Sequence, residues 1–198
     1  MQGLVRISRA IDRLNRWVGE GVALLTGLMV LIGAFNAIAR YLEKDAGVQI
    51  ASNAYLELQW YLFSLVFLLG SGYALAQNWH VRVDVIYGRV SARTKVWIDL
   101  VGTLLLGVPF CLLALWASWP SVQNSWASLE VSPDPGGLAR YPIKSAILLG
   151  FALLLLQALG GIVKRIAWLR GDPLWPGALP ELEEQGDPHE TTHEGYGT

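Results

Sequence analysis

The amino-acid sequence predicts an all-α integral membrane protein of four helices, with both termini in the cytoplasm. The first observation is composition: 53% of the 198 residues are hydrophobic and only 16% are charged, whereas a typical soluble domain has about 25% charged residues. The second is that the apolar residues gather into four long runs with charges only at their ends. The third is an excess of Lys and Arg on one side of the membrane once the chain is threaded through it.

Each apolar run is long enough to cross a bilayer, because a hydrocarbon core of about 30 Å requires about 20 helical residues. The third run is expected to end near Trp119, since Pro120 cannot donate to the helical hydrogen-bond ladder, and Pro109 is expected to kink it. A soluble bundle would show polar faces, whereas residues 63–69 and 148–156 are apolar on all sides. We therefore predict one membrane domain over residues 17–170, with spans at about 18–40, 56–78, 97–119 and 145–166.

Basic residues predict the orientation, because cytoplasmic loops carry an excess of Lys and Arg. The side that holds the termini receives eleven of them: Arg6, Arg9, Arg13, Arg16, Arg82, Arg89, Arg93, Lys95, Lys164, Arg165 and Arg170. The other side receives four, namely Arg40, Lys44, Arg140 and Lys144. This asymmetry places both termini in the cytoplasm.

Residues 1–16 form an amphipathic segment. Its apolar face carries Leu4, Ile7, Ile11 and Leu14 and continues to Val18. Its other faces carry Arg6, Arg9, Arg13 and Arg16. The pattern fits a helix lying flat on anionic lipid. A cytoplasmic extension of the first span fits equally well, and periodicity does not separate the two.

The segment after Arg170 has a different composition. Residues 173–198 are acidic, lack Lys and Arg, and contain several prolines, so we expect this tail to be disordered. The tail includes the zinc-protease spacing His189-Glu190-Thr191-Thr192-His193. Pro188 and the glycines that follow argue against the helix that such a site needs, so we expect no catalytic metal there.

The sequence offers few groups for chemistry inside the membrane. No charged residue or histidine occupies the middle of a span, which disfavours an ion pathway or a haem confined to this chain. No nucleophile with a supporting base is recognisable, and a net charge of -1 gives no reason to expect nucleic acid as a partner. We therefore expect a non-enzymatic protein without a cofactor, whose Asn36, Gln59 and Gln157 form interhelical hydrogen bonds.

Two sequence stretches carry a family resemblance. The second span begins with Glu57-Leu58-Gln59-Trp60, and the loop after it contains His80-Val81-Arg82-Val83-Asp84. Further on, Ser132-Pro133-Asp134-Pro135-Gly136-Gly137-Leu138 precedes Tyr141-Pro142-Ile143-Lys144. Over residues 15–168 the chain resembles the DctQ-type small subunit of tripartite ATP-independent periplasmic (TRAP) transporters, and the later stretch resembles the mannitol/chloroaromatic-type subgroup.

The resemblance implies a supporting role in solute uptake across a bacterial inner membrane. A large permease subunit is the expected partner and would hold the solute and sodium sites. A periplasmic solute-binding protein is expected to deliver a small organic solute, in most cases a carboxylate. Membrane lipid is the remaining expected partner. Two alternatives stay open, namely a four-span redox or enzyme subunit and a self-assembling channel.

The resemblance and the position of charges together nominate eight residues for partner contact or for anchoring the fold. They are Glu57, Trp60, His80, Arg82, Asp84, Asp134, Arg140 and Lys144. Arg82 and Asp84 alternate with valines and are expected to pair with backbone or partner groups at the cytoplasmic rim. Asp134, Arg140 and Lys144 lie in or beside a loop that is expected to face the binding protein. Asp99 is expected to pair with Lys95, four residues earlier on a helix.

Overall fold

A computed structural model describes residues 2–46, 51–79 and 90–171, and these form an all-helical bundle. The helices are α1 (Gln2–Ala46), α2 (Asn53–Ala76), α3 (Ala92–Gly102), α4 (Val108–Ala127) and α5 (Tyr141–Leu169). A π-helical turn, Thr103–Gly107, joins α3 to α4, so that Ala92–Ala127 forms one rod, called the third span below. Within these residues, four helices are long and apolar enough to cross a membrane, which confirms the predicted all-α, four-helix membrane fold. The acidic tail 173–198 and the stretch 80–89 lie outside the described residues.

The first helix is continuous from the amphipathic segment into the first span. α1 contains 45 residues, which at 1.5 Å per residue gives a length of about 65 Å, roughly twice the hydrocarbon thickness. The helix has no break between residues 16 and 18. Of the two alternatives for the amphipathic segment, this geometry corresponds to the extension of the first span.

The interior of the bundle contains small and polar residues, whereas bulky apolar residues point outward. Buried positions on α1 include Val5, Ser8, Asn15, Gly19 and Asn36. Its exposed positions include Trp17, Leu24, Leu31 and Ile38. Leu4, Ile7 and Leu14, from the predicted apolar face, are exposed as well. In lipid, helices do not associate by the hydrophobic effect, so close packing and interhelical hydrogen bonds select small and polar residues for the contact.

Three helices form the core of the bundle and the third span is attached to one side. α1, α2 and α5 pack against one another, and the third span packs against α5. α2 and α5 approach each other closely at Gly150, where a Cβ atom would lie 2.8 Å from the carbonyl oxygen of Leu68. Glycine therefore sets the separation of these two helices, as small residues commonly do between membrane helices.

The helix of the third span does not stop at Pro120, contrary to the expectation from its missing N–H donor. α4 continues through this proline to Ala127. Proline removes one donor and crowds the preceding turn, but the residues after it still donate to the helical ladder, so the expected outcome is a bent helix. The π-helical turn directly precedes Pro109, and the backbone N–H of Val108 donates to the carbonyl of Thr103 there. Single π-helical turns are a recognised source of helix distortion.

The two ends of the bundle differ in what they contain. The terminal end gathers the start of α1, the end of α2, the start of the third span and the end of α5. There the hydroxyl of Ser8 donates to the carbonyl of Gly160 at 3.1 Å. The loop end gathers the opposite helix ends and residues 128–140, which connect the third span to α5. There the Trp126 indole N–H donates to the Ser145 hydroxyl at 2.8 Å.

Candidate functional site

A buried carboxylate, that of Glu57, organises the loop end. Ser52 caps the start of α2 by accepting from the backbone N–H of Ala54 at 3.2 Å. Glu57 follows within the first turns of that helix and is only 4% exposed. Its carboxylate accepts a hydrogen bond from the Ser132 hydroxyl, and another from the backbone N–H of Leu138 at 2.5 Å. The carboxylate thereby joins α2 to a loop about 80 residues later in the chain.

The loop that Glu57 holds is a short closed hairpin over residues 130–140, called the 130–140 loop below. An isolated antiparallel bridge pairs Val131 with Ala139. The backbone N–H of Ser132 donates to the carbonyl of Leu138 at 3.0 Å, and that of Arg140 donates to the carbonyl of Glu130 at 2.8 Å. These bonds close the base of the loop, and residues 133–136 form its exposed tip.

Side chains of α2 hold the same loop at two further points. The Tyr61 hydroxyl donates to the carbonyl of Ala139 at 3.0 Å, and the Asn53 amide donates to the carbonyl of Pro135 at 3.2 Å. A Cβ atom at Gly137 would lie 2.9 Å from the Glu57 carboxylate, so glycine allows the loop to approach α2 this closely. The loop is therefore fixed on α2 by both side-chain hydrogen bonds and close backbone packing.

Charged groups surround the base of the 130–140 loop. The Lys144 ammonium forms an ion pair with the Glu130 carboxylate. The guanidinium of Arg140 interacts electrostatically with the carboxylates of Glu57 and Glu130. Asp134 is exposed at the tip. The hydrogen bond from Lys144 holds the pKa of Glu130 below its ordinary value, and the positive charges of Lys144 and Arg140 act in the same direction.

The lowered pKa of Glu130 predicts a pH dependence of stability. Because the folded-state pKa lies below the unfolded value, Glu130 contributes stability that is fully present above its unfolded pKa of about 4.3. That contribution is lost as the pH falls through the folded-state pKa. We expect Glu130→Gln to lower the thermal midpoint in detergent at pH 7, and expect the difference from the unmodified chain to shrink as the pH falls below about 4.5. A difference that stays constant down to pH 3 would contradict the ion pair.

Trp60 lies on the outer surface of α2. Together with Leu56, Phe63 and Phe67 it forms an exposed apolar stripe at helical spacing along α2. Trp60 is 42% exposed, and its ring packs edge-on against Tyr61 with centroids 4.3 Å apart. Its neighbour Tyr61 faces the 130–140 loop, so Trp60 is the outward member of this pair.

A second polar cluster joins α1 to α5 at the terminal end. The Asn15 amide donates to the Gln157 side-chain oxygen at 2.8 Å. The Gln157 amide in turn donates to the Asp12 carboxylate at 2.9 Å, and Lys164 forms an ion pair with the same carboxylate. The Arg165 guanidinium lies 3.8 Å from the Asp99 carboxylate, which ties the third span to α5. The predicted interhelical role of Gln157 is confirmed.

The structure brings several predicted site residues together. Glu57, Asp134, Arg140 and Lys144 all lie at the loop end, and Arg140 and Lys144 are linked there through Glu130. His80, Arg82 and Asp84 lie outside the described residues. For Asp99, the structure shows the Arg165 guanidinium as a charged neighbour.

Sequence reasoning missed four residues of the two clusters. They are Glu130 and Ser132 at the loop end and Asp12 and Asn15 at the terminal end. For Asp12 and Asn15 a signal was available, because they are spaced by three residues and face Gln157 and Lys164, which are spaced by seven. No comparable spacing marks Ser132 as a partner of Glu57.

Neither cluster has the composition of a metal centre. Within residues 2–46, 51–79 and 90–171, no three His, Cys, Asp or Glu side chains are grouped so as to hold a metal ion. The polar groups of both clusters instead bond to each other and to backbone groups of neighbouring helices. The geometry is that of interhelical connections, with an exposed tip at one end.

Comparison with protein families gives one match. The family model described as "Tripartite ATP-independent periplasmic transporters, DctQ component" matches residues 29–167. The matched region runs from the middle of α1 almost to the end of α5 and includes Glu57 and the whole 130–140 loop. No curated protein and no solved structure matched the chain.

Proposed function

The chain belongs to the DctQ component family of TRAP transporters, and from this premise we propose that it supports a large permease subunit in sodium-coupled solute uptake. The solute in this proposal is a small organic molecule, by expectation a carboxylate, that a periplasmic binding protein delivers. The large subunit carries the solute and sodium sites, and the present chain is a multi-pass inner membrane partner without catalytic activity of its own.

The observation that carries this proposal is that only a small fraction of the residues in each span is buried within this chain. In the most apolar stretch of the four spans, between 11% and 28% of the residues are buried. The buried polar groups described above connect helices and therefore serve the scaffold. Most of the outer surface remains available to lipid and to a larger membrane partner.

The proposal includes an orientation. The terminal end faces the cytoplasm and the loop end faces the periplasm. Exposed basic residues at the terminal end, namely Arg6, Arg9, Arg13, Arg16, Arg93 and Arg170, support this assignment. Reporter fusions at residues 46 and 130 are expected to be periplasmic. Cytosolic reporters at both positions would reverse the assignment.

The loop end has a role in the same proposal. The 130–140 loop presents its exposed tip, with Asp134, towards the periplasmic side. The buried Glu57 holds the base of the loop, so that the tip keeps one position relative to the bundle. A positioned loop loses less conformational entropy on binding than a mobile one, which suits transient docking of the solute-binding protein.

Co-purification with the large subunit tests the proposal. We expect the two chains to co-elute in mild detergent when they are expressed together. We further expect Trp60→Ala to reduce the recovery of the large subunit about tenfold or more, because an interface Trp commonly contributes 2 kcal/mol or more to binding. The matched control is Trp116→Ala, which removes a Trp that is 76% exposed on the third span and is expected to leave recovery unchanged. If the unmodified chain never co-elutes with the large subunit, the proposed function is wrong.

A further inference from the structure

A row of four exposed arginines runs along α1 at the terminal end. Arg6, Arg9, Arg13 and Arg16 follow each other at intervals of three, four and three residues, so they share one flank of the helix. All four are exposed. In the part of the chain that the structure describes, none of these guanidinium groups forms an ion pair or a hydrogen bond. Asp12 lies among them but is engaged by Lys164 and Gln157 of α5.

The same flank of α1 leads directly into an apolar groove. Glu20 and Ala23 continue the flank after Arg16, and both line a groove between α1 and α2. The groove has a volume of about 780 Å³, within the range of about 300–1,000 Å³ that small-molecule sites occupy. Its wall on the α2 side is formed by apolar and small residues, namely Val66, Phe67, Gly70, Tyr73 and Ala74.

Aromatic residues mark the depth of the groove in the membrane. Tyr73 and Trp79 pack edge-on with ring centroids 5.3 Å apart, and both line the groove. Exposed Trp17 lies on α1 two residues before Gly19, where a Cβ atom would meet the Tyr73 ring at 2.5 Å. Trp and Tyr prefer the boundary between headgroups and hydrocarbon. The arginine row therefore begins where the groove meets the headgroup region, and the groove itself extends into the hydrocarbon.

We propose that the arginine row and the groove together bind one anionic phospholipid. Arg13 and Arg16 hold the phosphate and the anionic headgroup, and an acyl chain lies in the groove between α1 and α2. The rise of 1.5 Å per residue places these two arginines about 6–10 Å beyond Glu20 along the axis, outside the apolar part of the groove. The carboxylate of Glu20 disfavours a phosphate at the groove mouth and so directs the headgroup towards the arginines.

Charge complementarity favours a phospholipid over a helix of a protein partner as the occupant of this groove. An apolar helix of a protein partner would satisfy the apolar wall but would supply no anion to Arg13 and Arg16. A phospholipid supplies both an apolar chain and an anion, at the spacing that the row and the groove require. This inference does not depend on the proposed transport function, because any four-span protein with these residues would present the same site.

Native mass spectrometry of the detergent-purified chain tests the proposal. The probes are phosphatidylglycerol and phosphatidylcholine with identical acyl chains. We expect the chain to retain phosphatidylglycerol preferentially, and expect Arg13→Gln/Arg16→Gln to reduce that retention about 30-fold, because each basic group near an anionic headgroup contributes about a factor of five. The control Arg40→Gln removes an exposed arginine from the opposite end of α1 and is expected to have no effect.

The groove is tested separately with Ala23→Trp, which fills it from the α1 side. This change is expected to reduce retention of both lipids, whereas Ala34→Trp, at an exposed alanine further along α1, is expected to leave it unchanged. Equal retention of the two lipids by the unmodified chain would overturn the proposal, as would unchanged retention in Ala23→Trp. If Ala23→Trp does not yield folded protein, a photo-crosslinking amino acid at position 23 in membranes replaces it. Lipid adducts there would support the proposal, and adducts only to the large permease subunit would refute it.

Discussion

Gly150→Ala is expected to lower the stability of the bundle by about 1–3 kcal/mol, the usual cost of overpacking a well-packed interface. The added Cβ would lie 2.8 Å from the carbonyl oxygen of Leu68 and 2.8 Å from its Cβ. The carbonyl belongs to the backbone of α2, so no rotamer change relieves the contact. The two helices must separate, and the hydrogen bonds that other α5 residues make to neighbouring helices are strained with them. The measurement is the midpoint of unfolding in mixed micelles.

Gly102→Ala is the matched control for this change. Gly102 also lies in a predicted membrane-crossing helix, but a Cβ atom there would meet no atom within 4 Å outside its own helical neighbourhood. Alanine favours helix over glycine by up to about 1 kcal/mol, so this variant is expected to be as stable as the unmodified chain or slightly more stable. Equal midpoints for Gly150→Ala and Gly102→Ala would show that α2 and α5 do not pack as closely as described.

Glu57→Ala is expected to release the 130–140 loop from α2. The substitution leaves the Leu138 N–H and the Ser132 hydroxyl without their acceptor, and it removes a counter-charge of Arg140. Hydrogen bonds to a charged group contribute about 1.5–3 kcal/mol each, so a loss of at least about 2 kcal/mol is expected. This loss corresponds to a roughly 30-fold faster amide exchange at Leu138, measured by hydrogen–deuterium exchange.

Three further substitutions rank the contributions of charge and of single hydrogen bonds to holding the 130–140 loop on α2. Glu57→Gln keeps an acceptor oxygen but loses the charge, so it is expected to release the loop less than Glu57→Ala does. Ser132→Ala removes one donor and leaves the bond from Leu138, so its effect is expected to be smaller again. Asp134→Asn changes an exposed tip residue and is expected to leave exchange at Leu138 unaltered. A loop that keeps its protection in Glu57→Ala would remove the basis for treating Glu57 as its anchor.

The sequence predicted the positions of the membrane helices well but did not predict which face of each helix is buried. Hydropathy marks a membrane helix locally: three of the four predicted spans lie within helices of the structure, and the second extends two residues past the end of α2. The direction in which each face points depends on the neighbouring helices. Leu4, Ile7 and Leu14 were grouped correctly as one face, but Asp12 and Asn15 form the buried contact with α5. The predicted helix end at Pro120 was wrong for a similar reason. The loss of one backbone hydrogen-bond donor is a local effect and does not by itself decide where a helix ends.

The sequence by itself determined the number of spans, the all-helical class and the family, because each depends on composition and on motifs that are local in the chain. It also identified Glu57 as a notable acidic residue at a span end. Only the tertiary structure decided that Glu57 anchors residues 130–140, that Asp12 and Asn15 bond to α5, and that the arginine row of α1 adjoins an apolar groove. Those contacts join residues that are up to about 150 positions apart, and in lipid they are selected by close packing and hydrogen bonding between helices, which hydropathy does not record.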